Sequence, residues 1–247
     1  MYPLLFAMAS INSNFDTIAA YRYITERYNP HYGLVSENEH INQYWLWSDN
    51  ILAAQVLRSH DHNLYTNITN TIKGYIQSYN ISLQSAYTVL IDQVFTTHQT
   101  SSFNALTNRN LLDNIWYSDY NGDEGLQCAE YADIAFLKSI YFYKTNKTSD
   151  SKTCYEQAMN MFDGIGFKDK SFVPDGSKYS TYKVALWKIA SSITKLGKSN
   201  GAMNIISKMQ DSNTGGVYTF YSKDFVPGGQ TNVETTSLSI LANTMNG

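Results

Sequence analysis

Apolar residues recur along most of this chain at the three- to four-residue spacing of amphipathic helices, separated by polar stretches that read as turns. The clearest stripe is Leu64, Ile68, Ile72, Tyr75, Ile76 and Tyr79, which predicts a helix over 63–79. Similar spacing predicts helices over 13–27, 43–59, 83–97, 104–117, 124–143, 152–163, 180–196, 201–210 and 233–245. The last is expected to be capped by Thr231 or Asn232. One alternating segment, VYTFYS, predicts a small β-hairpin between Gly215-Gly216 and Pro227-Gly228-Gly229.

About ten helices that each reverse the previous one form five hairpins. The connections at 28–42, 118–123, 164–179 and 211–232 are longer than the others, or richer in glycine or acids. Strict alternation puts those four at one end of the molecule, with Glu37, Asp49, Asp119, Glu124 and Glu234 approaching that end. The expected fold is a single all-α domain over 1–247, an α/α toroid with one small β-hairpin. Its loop-rich face is the expected functional face, because loops on a rigid scaffold carry function.

Composition narrows the function. Hydrophobic residues make up 43% of the chain, enough for a packed core, and charged residues only 16%. A net charge of −3 and the lack of a Lys/Arg stripe argue against nucleic acid. No apolar run approaches the roughly 18 residues of a membrane span. The opening MYPLLFAMAS reads as a first helix or the stump of a processed signal. Sequons at Asn67, Asn80 and Asn146 are glycan acceptors in an exported chain. A surface rich in Tyr, Asn, Ser and Thr suits neutral polar ligands such as glycans.

The stretch WYSDYNGDEGLQCAEYADIAFLKSIYFYK joins an acidic, glycine-containing turn to the longest amphipathic helix. Asp119, Asn121, Asp123, Gly125, Gln127 and Glu130 fall at alternate positions of a calcium-loop pattern, with Glu124 where such loops want glycine. Calcium is therefore the one cofactor the sequence suggests, with Asp119, Asn121, Asp123 and Glu130 as ligands. The other reading is a solvated turn whose acids complement a helix N-terminus. The five histidines have no tight metal-ligand spacing, and no G-x-S-x-G elbow or phosphate-binding glycine loop occurs.

The segments EYADIAFLKSIYFYKTN, YSTYKVALW, QDSNTGGVYTFY and TNVETTSLSILA together resemble the α/α-toroid superfamily. That group contains six-hairpin glycosidases and toroids of the terpenoid-cyclase and prenyltransferase kind. The closest likeness is to archaeal extracytoplasmic proteins carrying YW-x-x-SDN, a YAD helix and a terminal NVETT helix. The resemblance implies an α/α fold and export. The chain lacks the cyclase DxDD motif and the prenyltransferase zinc set.

Glycoside hydrolysis needs two carboxyl groups across a sugar site. Glu124 is the expected general acid, between two glycines and beside like charges; Asp49 or Glu37 is the expected opposing base. Trp45, Trp47, Trp116, Tyr117 and Tyr218 are the expected sugar-stacking residues. The expected function is therefore an exported, glycoside hydrolase-like protein acting on or binding polysaccharide or glycoprotein glycans. A non-catalytic surface or assembly protein, with self-assembly, is the alternative. Cys128 and Cys154 are expected to remain free thiols, since the starts of two successive antiparallel helices lie too far apart for a bridge.

Overall fold

A computed structural model describes residues 14–81, 83–91, 99–100, 103–172 and 178–245, with the side chains of 83–84, 99–100, 106 and 119–124 outside that description. The opening MYPLLFAMAS and most of the predicted 83–97 helix therefore lie outside the described residues. In chain order come α1 (Thr17–Thr25), β1 (Tyr28–Asn29), β2 (Leu34–Val35), β3 (Tyr44–Trp45), α2 (Asp49–Leu57) and α3 (His62–Tyr79). Next are β4 (Leu83–Gln84), a 3-10 turn (Ala86–Val89), β5 (Gln99–Thr100), β6 (Asn104–Leu112) and β7 (Ile115–Gly125). The rest comprises α4 (Ala132–Lys144), α5 (Thr148–Asn160), β8 (Tyr179–Ser180), α6 (Thr181–Thr194), α7 (Ala202–Lys208), β9 (Val217–Tyr221), β10 (Pro227–Asn232) and α8 (Val233–Thr244).

The protein is therefore mixed α/β and not an all-α toroid. Strands β6 and β7 form a long antiparallel hairpin where sequence periodicity predicts a helix, and β3 adds parallel to β7. Local chemistry explains the difference. Asn104, Thr107, Asn108 and Asn110 are poor helix formers. The two residues between paired Leu112 and Ile115 are Asp113 and Asn114, and Asp113 has φ 44°. Asp and Asn tolerate that left-handed conformation, which a two-residue hairpin turn requires. The apolar cluster Leu111, Leu112, Ile115 and Trp116 mimics a helix stripe but belongs to two strands.

The helices form two tiers. Helices α4, α6, α8 and α2 pack side by side in that order, while α5, α7, α1 and α3 cover α4, α6, α8 and α2 respectively. Of the inner tier, α2, α6 and α8 are buried on nearly all sides: α8 buries Val233 and every residue from Thr235 to Ala242. Outer helices bury one face, as in α3 with Ile68, Thr69, Ile72 and Ile76. Inside α8 two buried hydroxyls bond back to the backbone, Ser239 Oγ to Thr235 O at 2.7 Å and Thr236 Oγ1 to Asn232 O at 2.7 Å. Asn232 caps this helix by accepting from Thr235 N at 2.9 Å. The predicted hairpin forms as β9 with β10, and β8 joins it on the other side of β9.

Cys128 and Cys154 are joined in a disulfide with Cα atoms 5.2 Å apart, contrary to expectation. The predicted geometry fails because α4 begins at Ala132, not at 124. Residues 126–131 form a loop that turns back beside α4, where Lys138 Nζ donates to Leu126 O at 2.7 Å. That path carries Cys128 to the middle of α5.

The bridge closes a loop between residues 26 positions apart. Replacing both cysteines by serine is expected to lower stability by about 3 kcal/mol, measured by urea unfolding. A wild-type midpoint in the double variant would show that the bridge contributes nothing.

Candidate active site

The inner helices start around one cavity of about 360 Å³. Asp49 is the first residue of α2, and Asp133, Tyr182 and Glu234 are the second residues of α4, α6 and α8. All four line the cavity, together with Glu37 and the indoles of Trp45 and Trp47. The 3-10 turn contributes Tyr87, and the β6–β7 hairpin contributes Asn104, Asn108 and Ser118. Among the described residues no Lys, Arg or His lines the cavity.

The segment Ser48-Asp49-Asn50 organises one side. Asn50 is fully buried and its amide acts as a piece of backbone. Its Oδ1 accepts from Val35 N at 2.8 Å, while Nδ2 donates to Val35 O at 3.0 Å and Trp45 O at 2.9 Å. Those bonds fix the loop that carries Glu37 and Trp45. Glu37 is held further by its own backbone, donating to Gln43 O at 2.8 Å and accepting from Val233 N at 2.9 Å. The second bond ties the loop to the start of α8, beside Glu234. Trp45 Nε1 reaches Glu37 Oε2 at 3.4 Å.

Each deep carboxyl group has one hydroxyl donor. Ser48 Oγ donates to Asp49 Oδ1 at 2.8 Å, Tyr87 OH to Glu234 Oε1 at 2.9 Å and Tyr182 OH to Asp133 Oδ2 at 3.2 Å. Asp49 Oδ2, Asp133 Oδ1 and Trp47 Nε1 are buried without a partner among the described residues.

Behind the cavity a buried ion pair sets the start of α4. Lys183 Nζ lies 2.6 Å from Asp169 Oδ2 and 2.6 Å from Ser171 Oγ. Asp169 Oδ2 also accepts from Ala132 N at 2.9 Å, capping α4 from a distant segment.

Burial dominates the electrostatics. It raises the Asp49 carboxyl well above the usual range, and the charges of Glu234 and Glu37 add to the effect against the Ser48 hydrogen bond. Burial likewise pushes Glu234 up to about 7; the Tyr87 hydroxyl opposes this, and Asp133 and Glu37 reinforce it. Asp133 is raised by burial, with the Lys183 cation pulling the other way. Tyr87 and Tyr182 are raised well above the ordinary phenol value, first by burial and then by the charges of Glu234 and Asp133 respectively, so both remain hydroxyl donors.

Of the residues singled out from sequence, Glu37, Asp49, Trp45 and Trp47 meet at this cavity. Trp116 lies opposite Trp45 in the β3–β7 pairing, their rings 5.9 Å apart, and Tyr117 follows it opposite Arg109. Tyr218 is outside the cavity, donating to Asp211 Oδ2 at 2.7 Å. Asp119, Asn121, Asp123 and Glu124 lie on strand β7, not on a turn, and their side chains are outside the described residues. Glu130 pairs with Lys170 at 2.8 Å. Asn67, Asn80 and Asn146 are exposed.

From the sequence, Glu234 is expected near this end and Asp133 is one of the carboxylates at a helix start that could move protons, but neither is expected in an acid–base pair, and Tyr87 and Tyr182 carry no expectation. Three of these share a signal, a carboxyl or phenol at the second position of an inner helix. No protein-family model, no curated protein and no solved structure matches the chain, so the resemblance to the toroid superfamily is not upheld in sequence or in fold.

Glu234 gives the protein a definite pH response. Its carboxyl binds a proton more tightly folded, at about 7, than at its ordinary 4.5. The stability it contributes is complete below about pH 4.5 and is lost as pH rises through 7, at most about 3 kcal/mol. Glu234→Gln is therefore expected to be more stable than wild type at pH 8 and equal to it near pH 4, by urea unfolding. A gain independent of pH would contradict the assignment. Asn50→Ala strands three buried backbone groups and is expected to cost about 3 kcal/mol or more, read from the same curves; an unchanged midpoint would remove Asn50 as the clamp.

Proposed function

We propose that the chain is an exported carbohydrate-active protein that cleaves glycosidic bonds at the carboxylate-lined cavity. The observation that carries this reading is that Asp49 and Glu234, both titrating above the usual carboxylate range, share one concave site with Trp45 and Trp47. Glycosidic cleavage needs one protonated and one ionised carboxyl flanking the bond, and buried acids with interacting charges supply that division. In this assignment Asp49 is the general acid. Its Oδ1 is occupied by Ser48, which leaves Oδ2 to deliver the proton to the glycosidic oxygen. Glu234, held by the Tyr87 hydroxyl, is the ionised partner that acts on the sugar carbon or on the attacking water. Glu37 is the third carboxylate, and its charge helps hold the Asp49 proton. The partly exposed indole of Trp45 offers an apolar face for a sugar ring, while Trp47 is buried and brings only its unpartnered Nε1.

Export is supported by the Cys128–Cys154 disulfide, since such bonds persist in oxidising compartments, and by three exposed sequons. Among the described residues no helix is long and apolar enough to cross a membrane.

On a panel of polysaccharides and oligosaccharides, Asp49→Asn and Glu234→Gln are each expected to lower turnover at least ~100-fold. Wild-type turnover in either variant would reject this acid–base pair. A wild type that binds glycans without cleaving any would reduce the site to a binding role, and one that does neither would turn attention to a non-catalytic surface or assembly protein.

A further inference from the structure

The cavity has a charge asymmetry that a neutral sugar does not use. Four carboxyl groups, Glu37, Asp49, Asp133 and Glu234, face it, and among the described residues no cationic side chain does. The nearby buried cation, Lys183, does not line the cavity: its charge is paired with Asp169, it donates to Ser171, and it acts on Asp133 only through space. We propose that this site selects a sugar unit bearing a free ammonium group, with the amine held by Asp133 and the surrounding carboxylates.

Three features point to this ligand. Asp133 has Tyr182 on Oδ2 only, and its Oδ1 is buried at the site without a partner, so it calls for a donor. Trp47 is 1% exposed and its Nε1, also unpartnered, calls for an acceptor such as a sugar hydroxyl oxygen. Trp45, Tyr87 and Tyr182 line the same space, and aromatic rings attract organic cations. A metal ion fits these residues less well. Among the described residues no three acidic, His or Cys side chains converge closely enough to hold one. An ammonium group tolerates dispersed carboxylates, because it carries three donors and needs no fixed coordination sphere. A uronic or sialic unit would bring its own anion into an uncompensated acidic site.

The sugar part of this inference rests on the function proposed above; the amine part does not. The test is a ligand-observed NMR titration of the intact protein at about pH 7, where an amine is still largely protonated and Glu234 is at its midpoint rather than mostly neutral. The probes are glucosamine, N-acetylglucosamine, glucose and cyclohexylamine. Glucosamine is expected to bind about tenfold tighter than N-acetylglucosamine or glucose. That preference should shrink in high salt as the charges are screened. Asp133→Asn keeps an acceptor for Tyr182 and should cut the preference to below about threefold; Glu37→Gln should weaken it as well, and thermal melts would verify that both variants are folded. Equal or tighter binding of the neutral sugars would overturn the amine selection and leave the carbohydrate reading standing. Cyclohexylamine binding as tightly as glucosamine would keep the amine and discard the sugar. No binding by any probe would overturn both.

Discussion

Four helices begin at one cavity, and three of them bring a carboxyl group within their first two residues. The balance between burial and helix-end electrostatics at these positions is the constraint on which the site depends. A helix N-terminus favours an anion by about 0.3–1 kcal/mol, or up to ~2 kcal/mol in a favourable partly buried geometry. Moving Glu234 from 4.5 to about 7 corresponds to about 3 kcal/mol in the opposite direction. Burial therefore outweighs the dipole, and the cavity holds protons that an exposed helix start would release. Each carboxyl also takes a hydroxyl from a segment of its own: Ser48 before α2, Tyr87 on the 3-10 turn and Tyr182 on α6. No single helix could build this arrangement, so the acid site exists only when the inner tier is assembled.

The same interdependence governs the loop over α2 and α8. Asn50 supplies both a donor and an acceptor to Val35, so the loop is paired as if to a neighbouring strand. Glu37 closes the other side by accepting from the first amide of α8. Gly33 lets the loop lie against α3: it has φ 66°, and a Cβ there would collide with Thr71. Positions of Glu37 and Trp45 are thus set by α2, α3 and α8 together. A disturbance in any of these helices would reach the cavity through backbone hydrogen bonds, without touching a carboxylate.

The 63–79 stripe was legible in the sequence because α3, His62–Tyr79, buries one face. The 180–196 pattern also forms a helix, α6 over Thr181–Thr194, although that helix is buried nearly all round. The β6–β7 hairpin was not legible by periodicity, since Leu111, Leu112, Ile115 and Trp116 sit close enough in sequence to imitate a helix face. The Asp113-Asn114 turn between them is the stronger signal, and it is local. Asp49 among Trp45, Leu52 and Val56 was readable as an acid in apolar company. Its partners were not, because Asp133, Tyr87 and Glu234 reach it from segments far away in sequence, and no local pattern encodes that meeting. The disulfide was hidden for a related reason: with α4 starting at 132 and α5 at 148, Cys128 lies on a loop before α4 and meets Cys154 at the middle of α5.

That disulfide also bears on the cavity's two-sided chemistry. The helical side supplies acids and aromatic rings, and the described side chains of the hairpin side supply amides and a hydroxyl. Asn108 and Ser118 are cross-strand partners there, with Ser118 Oγ donating to Asn108 Oδ1 at 3.1 Å. The two sides meet where β7 ends at Gly125 and α4 begins at Ala132, and Cys128 lies between them. Its bond to α5 anchors that junction, while Lys138 holds Leu126, itself part of the cavity wall, from α4. Among the described residues of the hairpin few side chains are buried, so the described part has little packing of its own to fix its distance from the helices. The covalent tether and the β3–β7 pairing of Trp45 with Trp116 supply that distance from opposite ends. The width of the space between the helical and the hairpin walls is therefore set by the disulfide and by backbone pairing, and not by the carboxyl groups that line it.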